Sequence, residues 1–230
     1  SETSDNRIDN IILEATTILN DLIKSSNIKE TYEIKIDINE NLSEGQIGQA
    51  SYSERRIWLN TNFEDNTIFK LNDKNIKLGT IVILHEFFHV LGLIGINSLK
   101  HINGENDNPP FVYTGANGII QYKNVLSSNN KDIENINYLP LEDDYNGGTK
   151  LIHLEEGEDA DINHNLIGDE IREIDGIIYP ILRNEILTGF LNKGDNYLTN
   201  ITLGLLEDSG FTVNYDSEYV LKNGNNFWWI

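Results

Sequence analysis

The first part of the chain carries the most regular pattern of apolar and polar positions. Over residues 5–23, apolar side chains recur every three or four positions, which is typical of an amphipathic helix. Ser4 stands where a helix-capping residue is expected. Residues 32–39 then alternate apolar with charged or amide side chains, a pattern that predicts a half-exposed β-strand. The fold is therefore expected to open with a helix followed by a sheet.

A second helix is predicted over residues 75–91, where the side chains are apolar on nearly every side. Such a helix is expected to be central and buried. Gly92 is placed to end it. Between the first strand and this helix, Gly45 and Gly48 interrupt the chain before a short second strand at residues 56–60.

Regular periodicity fades after residue 97, in a stretch rich in Asn and Gly. A short helix is predicted over residues 116–126. Near the end of the chain, residues 197–208 read as a helix closed by Gly210, and residues 211–213 as a strand. We therefore expect a largely irregular second half.

The overall composition narrows the classes of function. The formal net charge is −20, and no segment clusters the Lys and Arg residues that a nucleic-acid partner requires. No apolar run approaches the roughly 20 residues of a membrane-spanning helix. The chain contains no cysteine, so zinc would have to be held by histidine and carboxylate groups. Composition does not indicate an oligomeric state.

The predicted buried helix contains the sequence His85-Glu86-Phe87-Phe88-His89. Residues four apart on a helix share a face, so His85 and His89 can bind one metal ion while Glu86 projects beside it. This geometry suits zinc, which makes water a nucleophile, with Glu86 as the general base. Two histidines and a glutamate in an apolar helix would be costly without such a partner. The alternative is a purely structural role for the three polar side chains.

A catalytic zinc requires a third protein ligand, and the spacing alone leaves several candidates. The short metzincin pattern would place a histidine at position 95, where Gly95 stands. A thermolysin-type enzyme would use a downstream glutamate, for which Glu105 and Glu134 are candidates. The remaining histidines are His101, His153 and His164.

Several later segments occur in an order that resembles the leishmanolysin-like metalloproteases of the metzincin clan. The resemblance runs from about residue 79 to residue 215. The matching segments, in chain order, are His85 to Gly92, Tyr113 to Asn117, Leu139 to Glu142, Gly147-Gly148, His153-Leu154-Glu155-Glu156, Asn184 to Gly189, and Leu206-Glu207-Asp208-Ser209-Gly210.

The resemblance implies a single α+β catalytic domain over residues 1–230. Its N-terminal lobe (1–95) would hold a twisted sheet and two long helices, and its irregular C-terminal lobe (96–230) would supply His153 as the third zinc ligand. The active-site cleft would lie between the lobes. The implied activity is zinc-dependent endopeptidase action on a protein or peptide substrate.

The resemblance also assigns roles to individual positions. The strand at residues 57–60 would be the edge strand of the cleft, so that Trp58 and Asn60 would contact an extended substrate. Leu187 stands where the family's turn beneath the zinc has methionine, and leucine can fill a similar volume. The family's disulfides cannot form here, and the connection between His153 and Asn184 is longer than usual.

Two other functions remain open at the level of sequence. One is a zinc-binding fold without activity that serves as an adhesion or interaction module; the presence of Glu86 argues against it. The other is a thermolysin-type peptidase, which would leave the His153 segment without a role. We further expect a secreted or cell-surface protein from which an N-terminal segment has been removed, since the chain begins at Ser1 without a methionine.

Residues 159–170 also resemble a calcium loop of the EF-hand type. Oxygen donors would stand at the first, third, fifth, seventh and twelfth positions of such a loop. Those positions hold Asp159, Asp161, Asn163, Asn165 and Glu170. His164 replaces the usual glycine at the sixth position. The alternative is an exposed acidic loop without a specific ion.

Overall fold

The structure is a computed structural model, and it describes residues 4–26, 33–39, 41–43, 45–60, 67–94, 99–101, 111–129, 131–143, 150–157, 166–191 and 194–222. This part of the chain is a mixed α+β fold of four helices and small sheets. The helices are α1 (Ser4–Leu22), α2 (Leu78–Val90), α3 (Ala116–Ser128) and α4 (Asn200–Asp208). The α+β class expected from the sequence is thus confirmed.

The strands are short and belong to five sheets in the described residues. They are β1 (Ile23–Ser26), β2 (Lys35–Ile38), β3 (Gly48–Ser51), β4 (Arg56–Leu59), β5 (Ile68–Leu71), β6 (Lys74–Lys77), β7 (Leu99–His101), β8 (Phe111–Tyr113), β9 (Leu139–Pro140), β10 (Ile167–Ile174), β11 (Ile177–Leu182), β12 (Asp195–Asn196) and β13 (Phe211–Val213). Their orders are β2-β4-β3, β12-β5-β6, β7-β8-β9, β1-β13 and β10-β11.

Helix α1 matches its predicted pattern closely. Its buried positions are Ile11, Ala15, Ile18 and Leu22, spaced by three or four residues. It lies against α2, where the Thr80 hydroxyl donates a hydrogen bond of 2.5 Å to Glu14. The apolar stripe of α1 therefore helps to cover the central helix.

Helix α2 is buried from Leu78 to Phe88 because it lies between two apolar clusters. One cluster joins α2 to α1 and to β4, through side chains such as Val82 and Ile57. The other joins α2 to α3, α4 and the strands of the second half, through side chains such as Phe88 and Leu205. Gly92 follows the helix with a φ of 85°, as the sequence predicts for the residue that ends it.

The start of α2 differs from the sequence-based expectation. Residues 74–77 are not helical but form β6, which pairs with β5 in an antiparallel hairpin. The two connecting residues, Asn72 and Asp73, have φ values of 48° and 69°. Positive φ at both central residues is the requirement of a tight hairpin turn, and Asn and Asp tolerate it. The tight turn therefore places residues 75–77 in a strand, although the sequence pattern predicted them as the start of the helix.

The second half is more regular than the sequence indicates. Helix α3 begins at Ala116 as predicted. Helix α4 begins at Asn200, three residues later than predicted, because the Thr199 hydroxyl caps it by accepting a hydrogen bond of 3.1 Å from the backbone NH of Ile201. The longest hairpin, β10-β11, was not predicted at all. It lies between the His153 segment and the turn at residues 184–188.

Candidate metal centre

His85, Glu86 and His89 lie near the C-terminal end of α2, where His85 and Glu86 are buried and His89 is half-buried. A regular helix places positions 85 and 89 one above the other on one face. Because α2 is packed on both sides, the backbone that carries the two histidines is fixed independently of any ion. The predicted location of this motif on a buried helix is therefore correct.

His153 reaches the same point from residues 150–157, a segment that is neither helix nor regular strand. Backbone hydrogen bonds hold it on two sides. The NH of Glu142 donates to the carbonyl of His153 at 3.0 Å, and the NH of Leu154 donates to the carbonyl of Leu187 at 3.0 Å. Leu154 thus bridges Leu141 on one side and the turn at 184–188 on the other.

The hairpin β10-β11 also holds the segment that carries His153. The Arg172 guanidinium forms an ion pair with the Asp143 carboxylate, and its Nε lies 3.9 Å from a carboxylate oxygen of Glu155. Asp143 and Glu155 are both buried. The unpredicted hairpin therefore supplies a cation to a buried acidic region beside the third histidine.

The three histidines converge through their Nε2 atoms. The Nε2–Nε2 distances are 2.9 Å between His85 and His89, 3.1 Å between His85 and His153, and 3.1 Å between His89 and His153. A tetrahedral zinc with bonds of about 2.0–2.1 Å holds its nitrogen ligands about 3.3 Å apart. The observed triangle is within a few tenths of an ångström of that spacing. The three side chains could therefore hold a metal ion.

The protonation state of His85 supports this interpretation. Its Nδ1 lies 2.5 Å from the backbone carbonyl of Ile186, which can only accept a hydrogen bond. Nδ1 must therefore carry the proton, and in the neutral ring Nε2 presents a lone pair towards the other two histidines. The Nε2 lone pair of His85 is therefore available to bind a cation at the point where the three rings meet.

Burial favours the neutral form of two of these imidazoles. It lowers the pKa of His85, an effect that the hydrogen bond to Ile186 partly opposes. It lowers the pKa of His89 more strongly, and the neighbouring rings of His85 and His153 lower it further. Because metal ions bind the neutral form of imidazole, the donor set suits a metal at neutral pH.

Glu86 lies beside this group and against the strand β3. It is almost fully buried, and burial raises its pKa to about 8. A Cβ atom built on Gly48 would lie 2.7 Å from the Glu86 Oε1 atom and 2.7 Å from Val82. Only glycine at position 48 lets β3 approach the carboxylate this closely.

The expected edge position of β4 is wrong. Trp58 and its neighbours pair with β2 on one side, in parallel, and with β3 on the other, antiparallel. Both sides of β4 are thus hydrogen-bonded, and β2 and β3 are the two outer strands of this sheet in the described residues. Strand β3 falls where the sequence indicated only a break at Gly48, since Gly and polar residues mask a strand of four residues.

The two substrate-contact candidates are engaged within the protein. The Arg56 guanidinium lies 5.6 Å from the centre of the Trp58 ring. The side-chain amide of Asn60 donates a hydrogen bond of 2.9 Å to the carbonyl of Gln46. Their contact with substrate stays a prediction, without the edge position on which it was based.

The other candidate ligands do not join the three histidines in the described part of the chain. Glu134 is exposed in a turn, where its backbone NH donates to Asp132 at 3.0 Å. Glu105 and His164 lie outside the described residues, and His101 is described only as part of β7. The proposed calcium ligands from Asp159 to Asn165 also lie outside them, and Glu170 is described only as part of the backbone of β10. The calcium loop therefore stays a prediction.

Sequence reasoning missed two residues that the structure brings to this region. Gly48 gives no signal in the sequence beyond its lack of a side chain. Glu185 was recognised only as part of a family-like segment, although it is buried and accepts hydrogen bonds from four groups. Its partners Thr199 and Thr202 lie 14 and 17 positions further along the chain, so no local spacing in the sequence signals the contact.

Comparison with known proteins does not assign the chain to a family. Neither a scan against protein-family models nor a search of curated proteins finds a match to the chain. In the part of the chain that the structure describes, no helix combines the length and the apolar character needed to cross a membrane.

Proposed function

We propose that this chain is a zinc-dependent endopeptidase of the leishmanolysin-like, metzincin type. The single observation that supports the proposal most strongly is the convergence of three Nε2 atoms within 3.1 Å of one another, two from a helix and one from a distant segment. His85, His89 and His153 would hold the metal. Zinc, when bound, supplies a Lewis acid and makes water a nucleophile at neutral pH.

Glu86 would act as the general base. Its carboxylate would accept a proton from the attacking water and return it to the amine that leaves when the peptide bond breaks. Burial raises the pKa of the Glu86 carboxyl to about 8 in the absence of a metal ion, and the positive charge of a bound zinc would lower it, which favours the carboxylate form that a base requires. The packing of Glu86 against Gly48 would hold the carboxylate in one orientation while it does so.

The outer strand β3 offers a place for an extended substrate. It pairs with β4 through one edge, and its residue Gly48 touches Glu86. A peptide that adds to the other edge by backbone hydrogen bonds would lie beside the base. The resemblance to the family assigned substrate binding to β4, and we propose β3 in its place.

The decisive experiment replaces Glu86 with glutamine. Glu86→Gln keeps the size of the side chain but removes its proton acceptor, so zinc content should be unchanged while hydrolysis of an unfolded protein substrate falls by about 100-fold or more. Zinc is measured by elemental analysis and hydrolysis by the appearance of new amino groups.

Two results would contradict the proposal. Activity close to wild type in Glu86→Gln would exclude Glu86 as the base. A zinc-loaded wild type that cleaves no unfolded protein or peptide would favour the adhesion or interaction module instead.

A further inference from the structure

Glu185 joins two elements next to the candidate metal centre. Its Oε1 accepts hydrogen bonds at the start of α4, from the Thr199 NH at 3.3 Å, the Thr199 hydroxyl at 3.0 Å and the Thr202 hydroxyl at 2.6 Å. Its Oε2 accepts a bond of 2.7 Å from the NH of Leu187. The Glu185 carboxylate therefore connects the turn at residues 184–188 to the N-terminal end of α4.

The same turn contacts the segments that carry two of the ligands. The carbonyl of Ile186 accepts the hydrogen bond from His85 Nδ1 at 2.5 Å. The carbonyl of Leu187 accepts from the NH of Leu154, the residue after His153, at 3.0 Å. The position of this turn therefore affects the orientation of the His85 ring and the position of the backbone beside His153.

We propose that Glu185 is a positioning residue of the metal centre: by fixing the turn against α4, it aims the Ile186 carbonyl at His85 and sets which nitrogen of that ring faces the ion. The inference rests on the proposed function only in that the three histidines hold a metal. It does not depend on which reaction follows.

The position requires a carboxylate because the donors approach from two sides. Three donors converge on Oε1 and a backbone NH on Oε2, so both atoms must accept. Glutamine has the same shape but only one oxygen. In either orientation of the amide, its NH₂ group would meet a backbone NH that now has no acceptor, and a buried donor in that state is costly.

A second carboxylate, half-buried, provides a control on the same helix. Asp208 lies at the other end of α4 and accepts from the NH of Asn117 at 3.0 Å, the NH of Gly118 at 2.9 Å and the Tyr113 hydroxyl at 3.0 Å. These bonds tie α4 to the start of α3 and do not involve the turn at 184–188. Asp208→Asn therefore removes the same kind of interaction without the proposed link to His85.

The experiment compares Glu185→Gln and Asp208→Asn with the wild type at pH 8, above the pKa of about 7 that burial gives Glu185. The first measurement is the ¹⁵N chemical shifts of the His85 ring in the metal-free protein, which report which nitrogen carries the proton. They are assigned by their loss in His85→Gln. The second is zinc affinity by competition with a chelator, and the third is the melting temperature.

Both variants should lower the melting temperature. Only Glu185→Gln should convert the single Nδ1-protonated form of His85 into a mixture of tautomers and weaken zinc binding by about 10- to 100-fold. Asp208→Asn should leave both properties within about twofold of wild type, the scatter expected of a substitution that does not touch the ligands.

The inference is overturned if Glu185→Gln lowers the melting temperature while the tautomer of His85 stays unchanged, or if both variants alter His85 equally. A wild type that binds no zinc would end the proposed function instead. The ring-nitrogen shifts of the metal-free proteins would still decide whether Glu185 positions His85.

Discussion

The three histidines that could hold a metal ion come from two parts of the chain, and their positions are fixed in different ways. His85 and His89 come from one regular helix, whose own hydrogen bonds set their spacing and whose burial holds it in place. His153 comes from a segment without regular secondary structure, held by backbone bonds to Glu142 and Leu187. A ligand pair can therefore be set by local structure, whereas the third ligand depends on chain segments that are remote in sequence.

The largest expected effect comes from weakening the helical side of this comparison. Phe88 lies between His85 and His89 in the sequence. Its side chain is fully buried and packs in the larger of the two apolar clusters. Phe88→Ala should lower the free energy of unfolding of the metal-free protein by about 3–5 kcal/mol, as measured by urea denaturation.

Leu13 provides the control, because 65% of its surface is exposed on α1. Leu13→Ala should change the free energy of unfolding by less than about 0.5 kcal/mol. Equal effects of the two substitutions would contradict the view that α2 is the rigid support of the site.

Removing the side chain of the proposed third ligand should weaken zinc binding rather than lower the free energy of unfolding. His153→Ala should weaken zinc binding about 1000-fold or more, equivalent to about 4 kcal/mol, because it leaves two protein ligands. The free energy of unfolding of the metal-free protein should change little, since the backbone bonds that hold the segment remain. Zinc retention on dialysis and urea denaturation measure the two quantities.

His164→Ala serves as the companion variant, since His164 is another downstream histidine considered for this role. It should retain zinc. If His164→Ala loses the metal and His153→Ala keeps it, the third ligand has been assigned to the wrong residue.

A smaller effect is expected where the outer strand meets the base. Gly48→Ala introduces a Cβ atom that must displace Glu86 or Val82. Turnover should fall by about tenfold, equivalent to about 1.4 kcal/mol of activation free energy, while zinc is retained. Gln49→Ala, which changes the exposed neighbouring side chain, should stay within about twofold. Loss of zinc in Gly48→Ala would show that β3 supports the ligands rather than the base.

The smallest effect is expected at the turn. Leu187 is fully buried, and its backbone is held by bonds to Glu185 and Leu154. Leu187→Met keeps an apolar side chain of similar volume, so turnover should change by less than about tenfold. A gain of about 100-fold, equivalent to about 2.7 kcal/mol, would mean that leucine makes the natural turn defective.

Sequence reasoning was most successful where structure is local. The spacing of Ile11, Ala15, Ile18 and Leu22 is enough to predict α1, because a helix repeats every 3.6 residues. The pair His85 and His89 follows from the same periodicity. These features require no knowledge of the remainder of the chain.

The remaining features depend on contacts between remote segments. Strand β4 is the central strand of its sheet because it pairs with both β2 and β3. The pattern of apolar and polar residues within β4 does not indicate how many neighbours the strand has. The link from α4 through Glu185 to the turn brings together residues up to 17 positions apart. His153 was identified from a family-like order of segments, and the backbone bonds that position it were not predicted.

The separation of the ligands makes a metal ion a cross-link of the chain. His85 and His153 are 68 positions apart, and an ion that binds both closes the intervening chain into a loop even when the protein is otherwise unfolded. For a permanent cross-link, the chain-entropy relation gives a stabilisation of about 4 kcal/mol for a loop of this size. Because the entropy depends on the logarithm of loop length, ten added residues would change that value by only about 0.1 kcal/mol. The connection between the ligands is thus free to vary in length at almost no thermodynamic cost.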